Sequence, residues 1–293
     1  MTRKPILFAM AAAALIAVGC EKRNNNVVPQ EDAFVAMGDG LVWATCNVGA
    51  ANPWDCGDYF AWGEAVPYYA PGHSSDNPCN DWERYVPIWA DDDGTTVSRT
   101  GYNYSSYRWM ERNAGSPNKI TKYTVDDSNS SGRWYGIMDG QTDFGFIGDN
   151  RDGVEHKDFA SYDYEDDPAR QSLGAPWRTP TVDEWAALLN EDNFSWTWND
   201  NYKGSGIAGM VVISKVEGYV GNYIFLPAAG YRDEKGLIDY GTVGDYWTAS
   251  LDKTVYANYV SLYMGANFGK VEISKYGVRC LGHSIRPVRE ESN

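Results

Sequence analysis

Short strand patterns separated by glycine-containing turns fill the last third of the chain, and they restrict its fold more than any other feature. One alternating set of apolar residues comprises Val260, Leu262, Met264, Val271 and Ile273. A Gly-Ala-Asn turn over 265–267 divides this set into two halves. Because successive side chains of a strand point to opposite faces, the pattern predicts an antiparallel hairpin with one buried face. The opposite face would then carry Tyr259, Tyr263 and, across the turn, Lys270.

Further strands are predicted near residue 34 and near the C-terminal end of the chain. Apolar residues flank the glycine turn Gly38-Asp-Gly40, which indicates a hairpin over 34–44. Two short closing strands are predicted over 276–280 and 284–288. Pro287 lacks a backbone N–H, so it favours an edge or bulge position in the second of them.

One segment has the signals of a helix, over Thr181 to Asn190. Thr181 can cap the N-terminus, and Glu184 three residues later completes a capping box. The apolar residues of this segment fall on one helical stripe, and they are Val182, Trp185, Leu188 and Leu189. Trp185 is the largest of them and is predicted to be buried, as is Trp247 in a later strand.

The first 20 residues predict export and a lipid anchor. Arg3 and Lys4 precede an apolar run over 6–18, which is too short to span a bilayer as a helix. The run ends in small residues directly before Cys20, the pattern of a bacterial lipoprotein processing site. Residues 1–19 are therefore interpreted as a signal peptide, 20–33 as a lipidated flexible tether and 34–293 as a single domain. An ordinary secretory signal with an incidental cysteine is the alternative.

The composition narrows the classes of partner. A formal net charge of −15 disfavours binding to nucleic acid and electrostatic attachment to anionic lipid, so membrane contact is expected through the lipid on Cys20. The chain has 12 Trp and 21 Tyr but nine Phe. Tyr and Trp combine an apolar body with a polar end, which suits partly hydrated binding surfaces as well as a loop-rich core.

Four cysteines follow the predicted processing site, and an oxidising compartment would favour disulfides among them. They are Cys46, Cys56, Cys79 and Cys280. Three pairings are open, and the spacing does not choose between them. No C-x-x-C motif occurs, so a zinc ribbon or a thioredoxin-type site is not indicated.

Motifs for catalysis or for a cofactor are missing from the sequence. The three histidines lie far apart, and no nucleophile elbow, dinucleotide fingerprint or P-loop occurs. A calcium loop could begin at Asp127, Asn129 and Ser131, but position 12 of an EF-hand would be Met138. Solvated turns are the simpler interpretation of these residues. The sequence thus predicts no enzyme and no cofactor, with calcium as the one ion that remains a candidate.

Four blocks of the sequence carry a family resemblance. They span 41–64, 163–189, 222–250 and 282–289, and they include Gly57-Asp-Tyr-Phe-Ala-Trp-Gly-Glu64. Together they resemble the Fibrobacter succinogenes major paralogous domain, which is common in surface lipoproteins of Bacteroidetes. The block Trp177-Arg-Thr-Pro-Thr-x-x-Glu-Trp185 is similar to blocks of the sulfatase-modifying-factor branch of the C-type-lectin-like fold. Cys56 departs from the family pattern, which predicts a local disulfide particular to this chain, with Cys79 as the candidate partner.

The resemblance implies an α+β, C-type-lectin-like domain with short antiparallel strands, one or two helices and long loops over 65–175. It also implies a lipid-anchored protein of the cell envelope, at the outer membrane, that binds a glycan or protein ligand. An enzyme acting on polysaccharide or peptidoglycan and a structural component of a surface assembly are the alternatives. Enzymatic relatives of the fold use paired cysteines or a histidine-rich iron site, and neither pattern is present.

A binding face is predicted on the second half of the domain. Related receptors carry their variable residues near the C-terminus, and the span 240–276 of this chain is dense in Tyr and Asn. The candidate ligand-binding residues are Tyr256, Asn258, Tyr259, Tyr263, Asn267 and Lys270. Exposed aromatic rings beside amides can stack on a sugar or anchor a protein partner. A solvated sheet face is the alternative.

Overall fold

The computed structural model describes two long segments of the chain, 34–67 and 164–251, and several shorter ones. The shorter segments are 88–90, 96–98, 101–103, 106–108, 110–113, 116–120, 124–125, 146–147, 259–265, 270–274 and 278–292. Cys20 and the calcium candidates Asp127, Asn129 and Ser131 lie outside the described residues.

Short strands dominate these segments. In chain order they are β1 Phe34–Ala36, β2 Leu41–Ala44, β3 Ile88–Ala90, β4 Thr96–Ser98, β5 Met110–Asn113, β6 Ser116–Ile120, β7 Thr124–Val125, β8 Phe146–Ile147, β9 Phe194–Asn199, β10 Gly209–Ser214, β11 Tyr223–Pro227, β12 Tyr231–Arg232, β13 Leu237–Ile238, β14 Val243–Leu251, β15 Tyr259–Gly265, β16 Lys270–Ser274 and β17 Val288–Glu290. All named pairings are antiparallel, and no sheet of the described residues exceeds three strands. The three larger sheets have the orders β1-β2-β17, β11-β10-β9 and β14-β15-β16.

Two short α-helices precede the second sheet, α1 Pro168–Leu173 and α2 Val182–Leu188. The predicted capping box of α2 is confirmed, because Thr181 and Glu184 each accept a backbone hydrogen bond from the other. The helix ends at Leu188 rather than at the predicted Asn190. In α1 the carboxylate of Asp167 caps the first turn. This helix and strands β3 to β8 lie where long loops were expected, so that prediction is wrong at these residues. The described residues thus form an α+β arrangement of short antiparallel strands with few helices.

The main core forms where α2 packs against residues of all three larger sheets. Trp185 of α2 is completely buried, with ring centroids 4.7 Å from Trp43 and 6.0 Å from Tyr246. Trp247 is also buried, in a second cluster with Phe60, Trp62 and Ile285 among others. The predicted burial of both Trp185 and Trp247 is confirmed.

The predicted hairpin is present as β15 and β16, which pair antiparallel. Met264 is buried, and Val271 and Ile273 pack partly buried against the main core. The side chains of Tyr263 and Glu272 pair across the strands on the other face and retain solvent exposure. The alternation read from the sequence is therefore correct for these residues. The turn between the strands lies outside the described residues.

The closing segment differs from its prediction. The residues Val278–Leu281 form a turn instead of a strand, and the last strand covers Val288–Glu290 instead of 284–288. Between them the backbone makes single bridges, from His283 to Phe60 and from Ser284 to Tyr246. Such bridges tie one extended stretch to several elements, and a local sequence pattern does not encode them. Pro287 lies directly before β17, where its missing N–H breaks no strand ladder.

A buried arginine joins the closing segment to the N-terminal hairpin. The Arg286 guanidinium is fully buried, and its Nε atom donates to Oδ1 of Asn47 at 2.9 Å. Its terminal nitrogens donate to the carbonyl oxygens of Ala44, Thr45 and Phe225. Burial lowers the pKa of Arg286 from its usual value. Four uncharged acceptors, from β2, from the residues directly after it and from β11, therefore hold one cation.

The cysteine states narrow the predicted pairings. Cys56 is disulfide-bonded, whereas Cys46 and Cys280 are free thiols. A disulfide between Cys46 and Cys280, or of either with Cys56, is therefore excluded. Cys79 lies outside the described residues, so its pairing with Cys56 stays a prediction. A search of the described part of the chain for a helix long and apolar enough to cross a membrane finds none.

Candidate functional site

Two tyrosines and two aspartates converge at the end of the β14-β15-β16 sheet. We call Tyr231, Asp239, Asp245 and Tyr263 the aromatic–acid patch. Asp245 pairs with Tyr263 across two strands, and His283 contacts both Asp245 and the ring of Tyr231. Burial and the charges of Asp239, Asp233 and Asp245 raise the pKa of Tyr231. Burial and the charges of Asp239, Asp245 and Glu272 raise the pKa of Tyr263.

Strand register explains half of the patch. Asp245 of β14 pairs directly with Tyr263 of β15, which in turn pairs with Glu272 of β16. Directly paired residues of neighbouring strands project to the same face of a sheet. The result is a row of acid, tyrosine and acid across three strands. The charge of Glu272 also contributes to the raised pKa of Tyr263.

A tight hairpin, β12–β13, positions Tyr231 of the patch. Tyr231 pairs with Ile238 in the β12–β13 hairpin, and the Asp233 carboxylate accepts the backbone N–H groups of Lys235 and Gly236 in its turn. Gly230 allows this hairpin to form, because its φ is 63° and a Cβ there would lie 2.1 Å from the Ile238 carbonyl oxygen. Only glycine tolerates such an approach at positive φ.

Asp239 follows the hairpin in a left-handed backbone conformation, with φ at 55°. Its carbonyl oxygen accepts hydrogen bonds from the backbone N–H groups of Thr242 and Val243, which fixes the loop. Its side chain is exposed. Non-glycine residues adopt this conformation infrequently, and Asp is one of the residue types that tolerate it best. The loop therefore fixes the backbone of this acidic residue directly after the β12–β13 hairpin that carries Tyr231.

His283 contacts two members of the aromatic–acid patch. His283 is 1% exposed, and its ring stacks on Tyr231 with centroids 5.7 Å apart and packs against Trp247 at 4.2 Å. Its Nδ1 atom lies 3.3 Å from Oδ2 of Asp245. The other carboxylate oxygen of Asp245, Oδ1, is buried and accepts no hydrogen bond from any described residue. His283 therefore joins the buried Asp245 carboxylate to the ring of Tyr231.

The arrangement suits ligands that donate hydrogen bonds and present an apolar face. The half-buried phenol rings offer rigid contact area, and the carboxylates offer acceptors. Anionic ligands are disfavoured because the local charge is already negative. Among the residues that the structure describes, no group of three or more His, Cys, Asp or Glu side chains is placed to hold a metal ion.

The structure describes three of the six predicted ligand-binding residues, and one of these three lies in the aromatic–acid patch. Tyr263 belongs to the patch. Tyr259 and Lys270 lie in β15 and β16, where they pair with Leu251 and Gly265. Tyr256, Asn258 and Asn267 lie outside the described residues.

Sequence reasoning missed Tyr231, Asp239 and Asp245. The sequence does contain a turn signal near Tyr231 and Asp239, because Asp233 and Gly236 mark a tight turn that brings its flanking residues together. Asp245 is 8% exposed within a strand that is buried on both faces, and a period-2 pattern does not predict a carboxylate at such a position.

Comparison of this chain with protein-family models, with curated proteins and with solved structures finds no match. The function is therefore inferred from the residues and their arrangement.

Proposed function

We propose that this chain is a lipid-anchored binding protein of the cell envelope, exported to the outer membrane, with a C-type-lectin-like domain of the Fibrobacter succinogenes major paralogous type. The leader ending at Cys20 and the four sequence blocks motivate the proposal. Short antiparallel strands with few helices are compatible with it. Two of the sequence blocks meet in space, since Arg178 of one bridges to Val288 of another through backbone hydrogen bonds.

The ligand that best fits the aromatic–acid patch is a neutral or amino-bearing glycan. One observation carries this assignment: Tyr231 stacks on His283, His283 lies 3.3 Å from the Asp245 carboxylate, and Asp245 pairs with Tyr263, so aromatic rings and acidic groups lie together. Sugars present an apolar ring face for stacking and hydroxyl groups that donate to carboxylates. A protein ligand with a basic side chain would use the same groups, and the binding screen below distinguishes it.

The anchor predicts covalent lipid on Cys20. Expressed in a bacterial host with a lipoprotein pathway, the full chain should incorporate labelled palmitate and partition into detergent. Cys20→Ala should remove both properties, whereas Cys46→Ala, which removes a free thiol of the folded chain, should leave them intact. An unlabelled wild-type protein would contradict the anchor.

The patch predicts loss of glycan binding in two tyrosine variants. On a glycan array followed by titration with the strongest neutral or amino-bearing hit, Tyr263→Ala should weaken affinity about five- to thirty-fold, equivalent to 1–2 kcal/mol. Tyr231→Ala should do the same, and Tyr231→Phe should retain most of the affinity because stacking on His283 is kept.

Tyr219→Ala is the matched control for this experiment. Tyr219 is a partly exposed tyrosine whose hydroxyl donates to Glu291, outside the patch. Its affinity should equal that of the wild type. Unchanged affinity in Tyr231→Ala and Tyr263→Ala, at unchanged melting temperature, would place the site elsewhere, with residues 65–175 the next candidate. A chain that binds a basic peptide through these residues and no glycan would reassign the ligand class.

A further inference from the structure

A second cluster of polar aromatic groups lies on the outer face of the β11-β10-β9 sheet. Its members are Tyr202, Lys203 and Tyr223, which we call the tyrosine–lysine cluster. The ring of Tyr202 lies flat on Phe225 of β11, with centroids 3.9 Å apart and planes 3° from parallel. The Lys203 Nζ atom lies 5.2 Å from the centroid of Tyr202 and 5.8 Å from that of Tyr223. Tyr223 is 40% exposed, so the cluster faces solvent.

The backbone at Lys203 is strained. Its φ is 50° and its ψ is 26°, a left-handed conformation that costs a non-glycine residue about 1 kcal/mol or more. Hydrogen bonds on either side hold it there, from Gly204 N to Asn201 O and from Ser205 N to Tyr202 O. Glycine would adopt the same conformation without strain. Backbone strain of this kind clusters at ligand-binding and catalytic positions, so Lys203 is a candidate for a functional side chain.

The polar ends of the cluster are hydrogen-bond donors that solvent can reach. Lys203 is exposed and carries three N–H donors, and the exposed Tyr223 carries one O–H donor. The Lys203 Nζ atom lies near both phenol rings, so these donors belong to one surface. A ligand would therefore meet an O–H donor and an N–H donor side by side.

The cation of the cluster is also not neutralised within the described structure. None of the ion pairs between described residues includes Lys203. In a chain with a formal net charge of −15, this is a local positive site beside an exposed aromatic ring. Two adjacent donors and a positive charge match the two oxygens of a carboxylate.

We propose that the tyrosine–lysine cluster binds the carboxylate of an acidic sugar, a uronate, with Lys203 and Tyr223 as donors and the exposed Tyr223 ring as a stacking surface. This site is separate in chemistry from the aromatic–acid patch, which disfavours anions, and it does not depend on the function assigned to that patch. The chain would thereby recognise two kinds of sugar unit through two surfaces of opposite charge.

The test is a titration of the full mature chain, in detergent micelles, with sodium D-glucuronate, D-glucose and sodium sulfate at constant ionic strength. Nuclear magnetic resonance of tyrosine ring protons reports binding at the cluster. Glucuronate should shift the signals of Tyr202 and Tyr223 in a saturable manner, while glucose should bind at least tenfold more weakly. Affinity for sulfate equal to that for glucuronate would overturn the assignment to a uronate.

Three variants separate the site from general charge effects. Lys203→Gly should lose at least tenfold in glucuronate affinity without a lower melting temperature, because the strain disappears with the side chain. Tyr223→Phe should also weaken binding, since it removes a donor and keeps the ring. Lys215→Gln, which alters another exposed lysine near the same sheet, should bind like the wild type. Wild-type affinity in Lys203→Gly, or an equal loss in Lys215→Gln, would overturn the proposal.

Discussion

Replacing Arg286 with methionine should lower the free energy of unfolding by at least about 3 kcal/mol. The side chain donates to Asn47 and to the carbonyl oxygens of Ala44, Thr45 and Phe225, all from a fully buried position. Methionine matches the apolar part of arginine but leaves these acceptors without donors inside the core. Arg286→Lys should also destabilise, because one ammonium group cannot reproduce the planar fork of donors.

Chemical unfolding of Arg286→Met and of the control Arg289→Met would measure the difference. Arg289 lies three residues later and is partly exposed, with its guanidinium over Phe34 and Trp177. Its replacement should cost about 1 kcal/mol or less. Similar stability losses in the two variants would show that the buried network contributes nothing beyond packing.

Trp185→Ala should cost about 3–5 kcal/mol of folding stability. The indole ring fills the space between Trp43 and Tyr246, and its Nε1 atom donates to the Trp247 carbonyl oxygen at 3.3 Å. Truncation would leave a large cavity in the main core and remove this hydrogen bond.

Trp198 provides the matched control for this truncation. It is partly exposed on β9, and its Nε1 atom donates to the exposed Asp200. Trp198→Ala should therefore lose clearly less stability than Trp185→Ala in the same denaturant titration. A melting temperature for Trp185→Ala equal to that of the wild type would contradict its place in the core.

Local patterns of the sequence were sufficient for elements whose determinants lie close together in the chain. The capping box of Thr181 and Glu184 depends on residues three positions apart, and it is present. The alternation around Met264 likewise predicts which face of β15 is buried. The start of α1 had a comparable signal, because Asp167 and Pro168 suit the cap and the first position of a helix.

Features that depend on distant residues could not be predicted in this way. Arg286 finds acceptors more than 60 and more than 200 residues away in the chain, and no local rule identifies them. The aromatic–acid patch has the same character, since Tyr231 reaches it through a hairpin and Tyr263 through strand register. The sequence indicated tyrosines near the C-terminal region as a binding face, but which carboxylates accompany them depends on the fold.

Hydrogen–deuterium exchange of the full mature chain, with and without the tightest-binding neutral or amino-bearing glycan of the array, tests the central claim most directly. The proposal predicts slower exchange on binding in peptides covering 228–245 and 259–265, which contain the four residues of the aromatic–acid patch. Peptides covering 34–67 should exchange at the same rate in both samples. Protection confined to segments other than 228–245 and 259–265, in the presence of saturating glycan, would contradict the assignment of this patch as the ligand site.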